Sequence, residues 1–220
     1  MPHNRESDRV ESELRRLILT LELEPGAALS EAELMSRYGW GRTPLREAFQ
    51  RLTEQSLLQY TPRQGVLVTP LSIFDFVDVM DALAMVVGPS ASLACRRLSD
   101  AQLDELSALV ESLQDAATRR DFTTLADLDY RFHARLAEAS GNPYLRDYLL
   151  RLHRLAARFN LAAWQREGAA SASQSEHHLI LAALRKRDTA AVRETMRTHI
   201  ENARQRIVGV MHGGEEEFTE

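Results

Sequence analysis

Three of the seven histidines share a helical stripe with apolar residues, which is the pattern of an inward-facing side chain. They are His133, His177 and His199, and Asp129 lies one helical turn before His133 on the same face. One carboxylate and three imidazoles suit Zn²⁺ and other first-row divalent ions, with Ni²⁺ or Mn²⁺ as alternatives. The pattern predicts a metal centre, with two simpler alternatives: core histidines that have ordinary hydrogen-bond partners, or a purely structural metal.

Periodicity leaves the roles of two further histidines open. His178 adjoins His177, and its own stripe is also plausible as core, so periodicity alone leaves the ligand register open. His153 lies among apolar residues and is a candidate to line an effector cavity, with a plain core role as its alternative.

An enzyme is the second class of protein that the predicted metal centre would suit. Three histidines and an aspartate leave room for water on the ion, and Glu176 is a candidate base. Glu176 should point about 100° away from His177 around its helix, however. No nucleophile and base occur at a recognisable spacing, so the enzyme reading is the weaker one.

A second kind of chemistry is indicated by arginines near the N-terminus. Residues 37–63 carry five arginines against two glutamates, a local net charge of +3 in a chain whose net charge is −5. Arg42 and Arg46 stand four residues apart, on the side of a predicted helix opposite Leu45 and Phe49. Guanidinium groups match guanine edges and phosphates, so this face is a candidate to bind DNA.

The elements around these arginines follow the plan of a winged helix-turn-helix. Apolar spacing predicts a first helix through Leu21, a second capped by Ser30 and stopped by Gly39, and a third over 42–55. Strands at 57–61 and 66–69 flank a turn. A small helical domain with a hairpin and no DNA role is the alternative.

The rest of the chain reads as an all-α bundle, in which sites form between facing helices. Helices are predicted over 73–98 with a break or kink at Gly88-Pro89, 100–119, 122–139, 143–165, 174–186 and 189–209. The fold class is therefore mainly α: a winged helix-turn-helix domain at 1–70, a helical-bundle effector domain at 71–210 and a disordered tail at 211–220.

Composition excludes several classes of protein. At 220 residues with 44% hydrophobic and 27% charged residues, the chain is globular rather than disordered or fibrous. Its longest uncharged stretch, Ala82 to Cys95, is too short for a membrane span, and no secretory signal is visible. Cys95 is the only cysteine, so we expect no internal disulfide and a cytoplasmic location.

The N-terminal motifs resemble the DNA-binding domain of GntR-family bacterial transcription regulators. The resemblance covers about residues 8–69 and rests on Leu-Ser-Glu at 29–31, Gly-Trp-Gly-Arg-Thr-Pro-Leu-Arg-Glu-Ala at 39–48 and Pro-Arg-Gln-Gly at 62–65. It implies that Arg42 and Arg46 contact the operator, that Thr43 assists at the helix start, and that Arg63 and Gly65 form a wing tip approaching the minor groove. Gly41 departs from the family's usual Ser or Thr cap.

The C-terminal motifs resemble the FCD effector domain of the FadR subfamily. They are Asp129-x-x-Phe132-His133, Ser140-Gly141-Asn142, Glu176-His177-x-x-Ile180, and Arg187-Asp188 followed by His199. The resemblance implies a divalent metal, with zinc favoured, held by Asp129, His133, His177 and His199, and a small carboxylate effector beside it. It also selects His177 over His178. Family members that bind organic acids often carry an Arg and a Glu in the segment that corresponds to Met80–Pro89. In this chain the segment contains only Asp81 and apolar residues.

Together these features predict a ligand-responsive DNA-binding regulator, with repression favoured over activation. Its partners would be double-stranded operator DNA, a small-molecule effector and a second copy of the chain, with no membrane involved. A near-palindromic site and a two-fold dimer are expected, with Leu145, Tyr148, Leu149 and Leu152 as a candidate pairing face. A metal-dependent enzyme with a winged-helix accessory domain is the alternative.

Overall fold

Apolar residues at helical spacing fold the N-terminal part into three helices, and alternating residues add a hairpin. A computed structural model describes residues 2–70, 72–164 and 168–213, and the chain divides into two compact units, Met1–Ser72 and Ile73–Glu220. The first unit contains α1 (Pro2–Leu19), α2 (Glu31–Tyr38), α3 (Arg42–Glu54), β1 (Leu58–Thr61) and β2 (Gly65–Val68). The winged helix-turn-helix plan is confirmed, although α1 ends before Leu21.

Polar caps fix the ends of the two motif helices. The Ser30 side chain accepts a hydrogen bond from the backbone N–H of Glu33 and begins α2, and Gly39 ends it. Gly41 caps α3 without a side-chain hydrogen bond, as its lack of a hydroxyl requires. Trp40, between these glycines, is 2% exposed and stacks on Tyr38.

The two strands form an antiparallel wing in which Leu58 pairs with Val68 and Thr61 with Gly65. The turn between them is closed by a hydrogen bond from the Gln64 N–H to the Thr61 carbonyl. Gly65 has φ +80°, in the left-handed region that glycine adopts without strain. Turn chemistry therefore places glycine at the tip of the wing.

The second unit is a bundle of six helices within the described residues. They are α4 (Ile73–Arg97), α5 (Asp100–Thr118), α6 (Phe122–Ala139), α7 (Pro143–Trp164), α8 (Ala169–Arg185) and α9 (Thr189–Gly213). Predicted caps are confirmed: Ser99 forms a capping box with Gln102, and Asp121 and Asp188 accept first-turn N–H groups. No described residue beyond β2 forms a strand.

Three helix boundaries differ from the sequence predictions. Of the predicted break or kink at Gly88-Pro89, the break is wrong, because α4 continues through both residues. Helix α8 begins at Ala169 rather than 174, since the alanine-rich segment after Gly168 is already helical. Helix α9 continues to Gly213, and the rest of the predicted tail at 211–220 lies outside the described residues.

Helix α4 is apolar because the bundle surrounds much of it. By length and composition alone, Phe74–Arg97 is a helix that could cross a membrane. Phe76, Met80, Leu83 and Val87 are buried, and the helix contacts α6, α7 and α9. It is a core helix of the second unit.

The candidate pairing face on α7 is wrong as a single surface. Leu149 and Leu152 are 2% and 6% exposed, because they pack into the bundle. Tyr148 is 46% exposed and Tyr144 86%. This part of α7 therefore divides into a buried side with the two leucines and an exposed side with the two tyrosines.

Candidate metal centre and nucleic-acid interface

Three helices of the bundle bring the four predicted ligands to one buried point. Helix α6 supplies Asp129 and His133 from consecutive turns, α8 supplies His177, and α9 supplies His199. Each residue is at most 4% exposed, and one ligand atom from each lies within 4.8 Å of all the others. Helical periodicity predicted that these side chains face inward, and the resemblance to the FCD domain selected His177 over His178.

The four ligand atoms converge, and two of them have no hydrogen-bond partner. The Oδ1 atom of Asp129 lies 3.2 Å from His177 Nε2 and 3.9 Å from His133 Nε2, and His133 Nε2 lies 3.3 Å from His199 Nε2. Asp129 Oδ1 and His177 Nε2 have no hydrogen-bond partner of acceptable geometry, although both are buried. Burying such groups unpaired is costly, and a divalent cation is a partner that this donor set fits.

Glu176 orients one of the candidate ligands. Its carboxylate accepts a hydrogen bond from His199 Nδ1 at 2.7 Å, one from Asn202 Nδ2 at 2.9 Å, and two from the Arg206 guanidinium at 2.7 and 3.0 Å. With Nδ1 donating, the lone pair of neutral His199 is on Nε2, the atom that faces the cluster. Glu176 is therefore a support for the site.

The electrostatics of Glu176 exclude the role of base considered for it above. Burial alone would raise the pKa of Glu176, but the hydrogen bonds from His199 and Arg206 outweigh this and lower the pKa to about 2. A carboxylate this acidic and fully engaged is a poor proton acceptor near neutral pH. The supporting role was missed in the sequence, although His199, Asn202 and Arg206 share one face of a helix there.

Burial favours the neutral, metal-ligating form of two imidazoles in the cluster, those of His133 and His199. Burial lowers the pKa of His133 well below its usual value, and the neighbouring histidines lower it further. Burial also lowers the pKa of His199, and the hydrogen bond to Glu176 offsets part of this effect. Protons therefore compete weakly for these nitrogens near neutral pH.

His153 lies directly beside the cluster. Its ring stacks on that of His133 with centroids 4.4 Å apart and an angle of 13°, and burial lowers its pKa to about 4. Both rings line a cavity of about 10 Å³, close to the space of one water molecule. The same cavity is lined by Ser90, whose buried hydroxyl has no hydrogen-bond partner.

The adjacent His178 is not part of the cluster. Its side chain is exposed, and its Nδ1 lies 2.9 Å from the carbonyl oxygen of Gln174. One residue earlier on the same helix, His177 is fully buried. The selection of His177 over His178 agrees with this placement.

The arginines proposed for DNA are placed on the exposed side of the winged unit. Arg42, Thr43 and Arg46 are exposed on the first turns of α3, while Leu45 and Phe49 are buried on its other side. Arg63 is exposed in the turn of the wing, next to Gln64 and Gly65. This arrangement presents a helix start and a hairpin tip, the two parts with which winged helices reach DNA.

One contact of this surface was missed by sequence reasoning. Arg46 Nε donates to both carboxylate oxygens of Glu31, at 2.8 and 3.1 Å. The two residues are 15 positions apart on different helices, so no periodicity within one helix could have indicated the pair.

Both units match known protein families. The family described as bacterial regulatory proteins, gntR family, matches residues 6–68, and the FCD domain matches residues 78–202. An uncharacterized HTH-type transcriptional regulator of Streptomyces ambofaciens is 32% identical over 199 residues, covering 85% of this chain and 78% of the relative. The HTH-type transcriptional repressor GlaR of Escherichia coli is 31% identical over 196 residues, covering 85% and 89%.

A solved structure has the same fold. McbR/YncC of E. coli superimposes with a TM-score of 0.81 at 23% sequence identity, covering 94% of this chain and 98% of that chain. Both matched families are those of transcription regulators, so the enzyme alternative is wrong.

Proposed function

Because the chain belongs to the GntR family of bacterial regulatory proteins and carries an FCD domain, we propose that it is a repressor released by a small organic carboxylate. It is a DNA-binding transcription regulator, and relatives such as GlaR carry the name of repressor. We propose a cytoplasmic location, because the operator DNA of a bacterium lies in the cytoplasm. The single cysteine, which can form no internal disulfide, agrees with this location. We propose the domain division 1–70, 71–210 and 211–220.

The winged unit would bind the operator through α3 and the wing. Arg42 and Arg46 would read base edges or phosphates in the major groove, with Thr43 at the helix start. Arg63 and Gly65 would approach the minor groove from the wing tip. A two-fold dimer would place two such units on a near-palindromic site.

Asp129, His133, His177 and His199 would hold a divalent metal, with zinc favoured and nickel or manganese as alternatives. The support for this proposal is the convergence of four buried ligand atoms, of which Asp129 Oδ1 and His177 Nε2 have no hydrogen-bond partner. Four protein ligands leave open positions on an ion that accepts more than four, and as a Lewis acid it would attract a carboxylate there.

The effector would bind next to the cluster, where His153 and Ser90 line the small cavity. A space that holds about one water is too small for an organic acid. Binding would therefore displace side chains of the helices that enclose it, α4, α6, α7 and α9. The repacked bundle would favour a different conformation of the regulator, and the two conformations would differ in operator affinity. This difference would couple effector binding to DNA binding.

The single observation that carries this proposal is the buried Asp/His cluster in a chain that also has a winged unit of the GntR family. The test uses the full-length protein and a fluorescent duplex from the gene's own upstream region. Anisotropy is measured with and without chelator and a panel of organic acids, at two salt concentrations. We expect a salt-dependent complex that at least one acid weakens, and that stops responding to the acid after chelation.

A matched pair of variants distinguishes the cluster from its surroundings. His177→Ala should lose bound metal and the response to acid, whereas His178→Ala, with a change in the adjacent exposed histidine, should keep both. Equal behaviour of the two variants would contradict the proposed site.

A further inference from the structure

The contact between Arg46 and Glu31 restricts an arginine that otherwise lies open on the DNA-facing side of the winged unit. The Nε atom of Arg46 donates to both oxygens of the Glu31 carboxylate, while the arginine side chain remains 63% exposed. Glu31 is the first residue of α2, a helix whose start is fixed by the Ser30 cap. The carboxylate therefore belongs to a defined part of the backbone, and it contacts the guanidinium from one side.

The engaged atom leaves the recognition edge of the guanidinium available. With Nε bound to Glu31, one N–H from each terminal Nη group forms the end of the planar fork, and this pair of donors does not point at the carboxylate. Two parallel donors at the end of a fork are what a guanine O6/N7 edge or a phosphate accepts. A free arginine would have to give up rotamer freedom to present this edge, and the contact with Glu31 removes part of that cost beforehand.

We propose that Glu31 is a positioning residue that sets the sequence specificity of DNA binding by holding the Arg46 guanidinium. The inference rests on the proposed function, in that Arg46 must contact the operator. It goes beyond it by placing a carboxylate, a group that phosphates repel, among the determinants of recognition.

The charge and the orienting role of Glu31 act in opposite directions, which makes them separable. Removing the negative charge reduces repulsion of the phosphate backbone and tightens binding to every duplex alike. Removing the hydrogen bonds frees Arg46 and weakens binding only where a base edge was being read. Glu31→Gln should therefore tighten the non-specific complex and reduce discrimination between sequences.

The test measures the dissociation constants of two duplexes with the full-length protein. One duplex is selected by the wild-type protein from a random-sequence pool, and the other is a scrambled duplex of the same composition. The control is Glu33→Gln, which removes the same charge from the same turn of α2, at an exposed position that forms no ion pair with any residue that the structure describes. Circular dichroism and thermal unfolding show whether both variants fold as the wild type does.

Both variants should bind the scrambled duplex equally, and slightly more tightly than the wild type does. Only Glu31→Gln should lower the ratio of specific to non-specific affinity, by about five- to tenfold. In an Arg46→Ala background the Glu31 substitution should leave this ratio unchanged, because the effect passes through Arg46. Equal ratios for Glu31→Gln and Glu33→Gln, or an undiminished effect in that background, would overturn the inference.

The same experiment distinguishes failure of the proposed DNA contacts from failure of the proposed role of Glu31. If the wild type selects no sequence, or if Arg46→Ala binds the selected duplex as tightly as the wild type, the proposed DNA contacts fail and the role of Glu31 fails with them. If Arg46→Ala weakens binding and Glu31→Gln behaves like Glu33→Gln, only the positioning role is wrong.

Discussion

At the scale of single residues, the candidate metal centre depends on a carboxylate that is not itself a ligand. Glu176 joins His199 on one side to Asn202 and Arg206 on the other. It fixes which nitrogen of His199 carries the proton. The carboxylate stays ionised near neutral pH, because the pKa of Glu176 is lowered to about 2. Loss of such a support typically weakens metal binding about 10- to 100-fold.

Glu176→Gln should therefore weaken Zn²⁺ binding by about 10- to 100-fold, because an amide holds the imidazole less strongly than a carboxylate does. A competition titration against a chromophoric chelator measures the affinity. Glu194→Gln is the control, since Glu194 is exposed and, among the described residues, its ion pair is with Arg197 of its own helix. Unchanged Zn²⁺ affinity in a folded Glu176→Gln protein would show that the carboxylate does not support a metal ligand.

Residue identity and spacing were enough to predict some of these roles, and insufficient for others. Asp129, His133 and His199 follow from stripes within single helices, because periodicity is a property of the sequence itself. The choice of His177 over His178 also needed the resemblance to the FCD domain. Glu176 and Glu31 act across pairs of helices, α8 with α9 and α2 with α3. Which side chains meet across two helices depends on the packing of those helices, which the sequence pattern does not give.

At the scale of elements, the wing depends on a backbone conformation that glycine supplies. Gly65 has φ +80°, and a Cβ added there would meet no atom within 4 Å. Gly26, in another turn of the same unit, has φ +81° and the same open surroundings. The two positions therefore differ in their proposed role toward DNA and are alike in their local strain.

Gly65→Ala and Gly26→Ala should each lower the free energy of unfolding by about 1–2 kcal/mol, the cost of a left-handed alanine. Denaturant unfolding measures this loss. Only Gly65→Ala should also weaken operator binding, because its new methyl group would lie where the wing tip approaches the minor groove. If both variants bind DNA as the wild type does, the wing tip has no close contact with the duplex.

Local chemistry predicted the helix starts better than it predicted the helix interiors. Ser30, Ser99, Asp121 and Asp188 cap the helices at the expected positions, because a cap is a contact within one turn. The break expected at Gly88-Pro89 does not occur. There, a Cβ on Gly88 would lie 3.1 Å from Arg193 of α9, so the glycine marks a close approach of two helices. Tertiary packing thus sustains a helix through residues that favour its interruption.

At the scale of the whole molecule, a net charge of −5 conceals two separate candidate sites. The local excess of arginine at 37–63 falls in the winged unit, and the candidate metal ligands fall in the bundle. The family match shows that the chain is a DNA-binding regulator. If a ligand of the bundle changes the affinity for operator DNA by some factor, then DNA must change the affinity for that ligand by the same factor.

The central claim is that the exposed arginines of α3 bind duplex DNA, and one substitution pair tests it most directly. Binding of the selected duplex is measured by anisotropy for wild type, for Arg42→Ala/Arg46→Ala and for Arg131→Ala/Arg135→Ala. The last is a matched control, because it removes two exposed arginines four residues apart from a helix of the bundle. The α3 variant should lose at least about 100-fold in affinity while keeping its fold and bound Zn²⁺, and the control should bind as the wild type does. Full operator occupancy by the α3 variant would contradict the account.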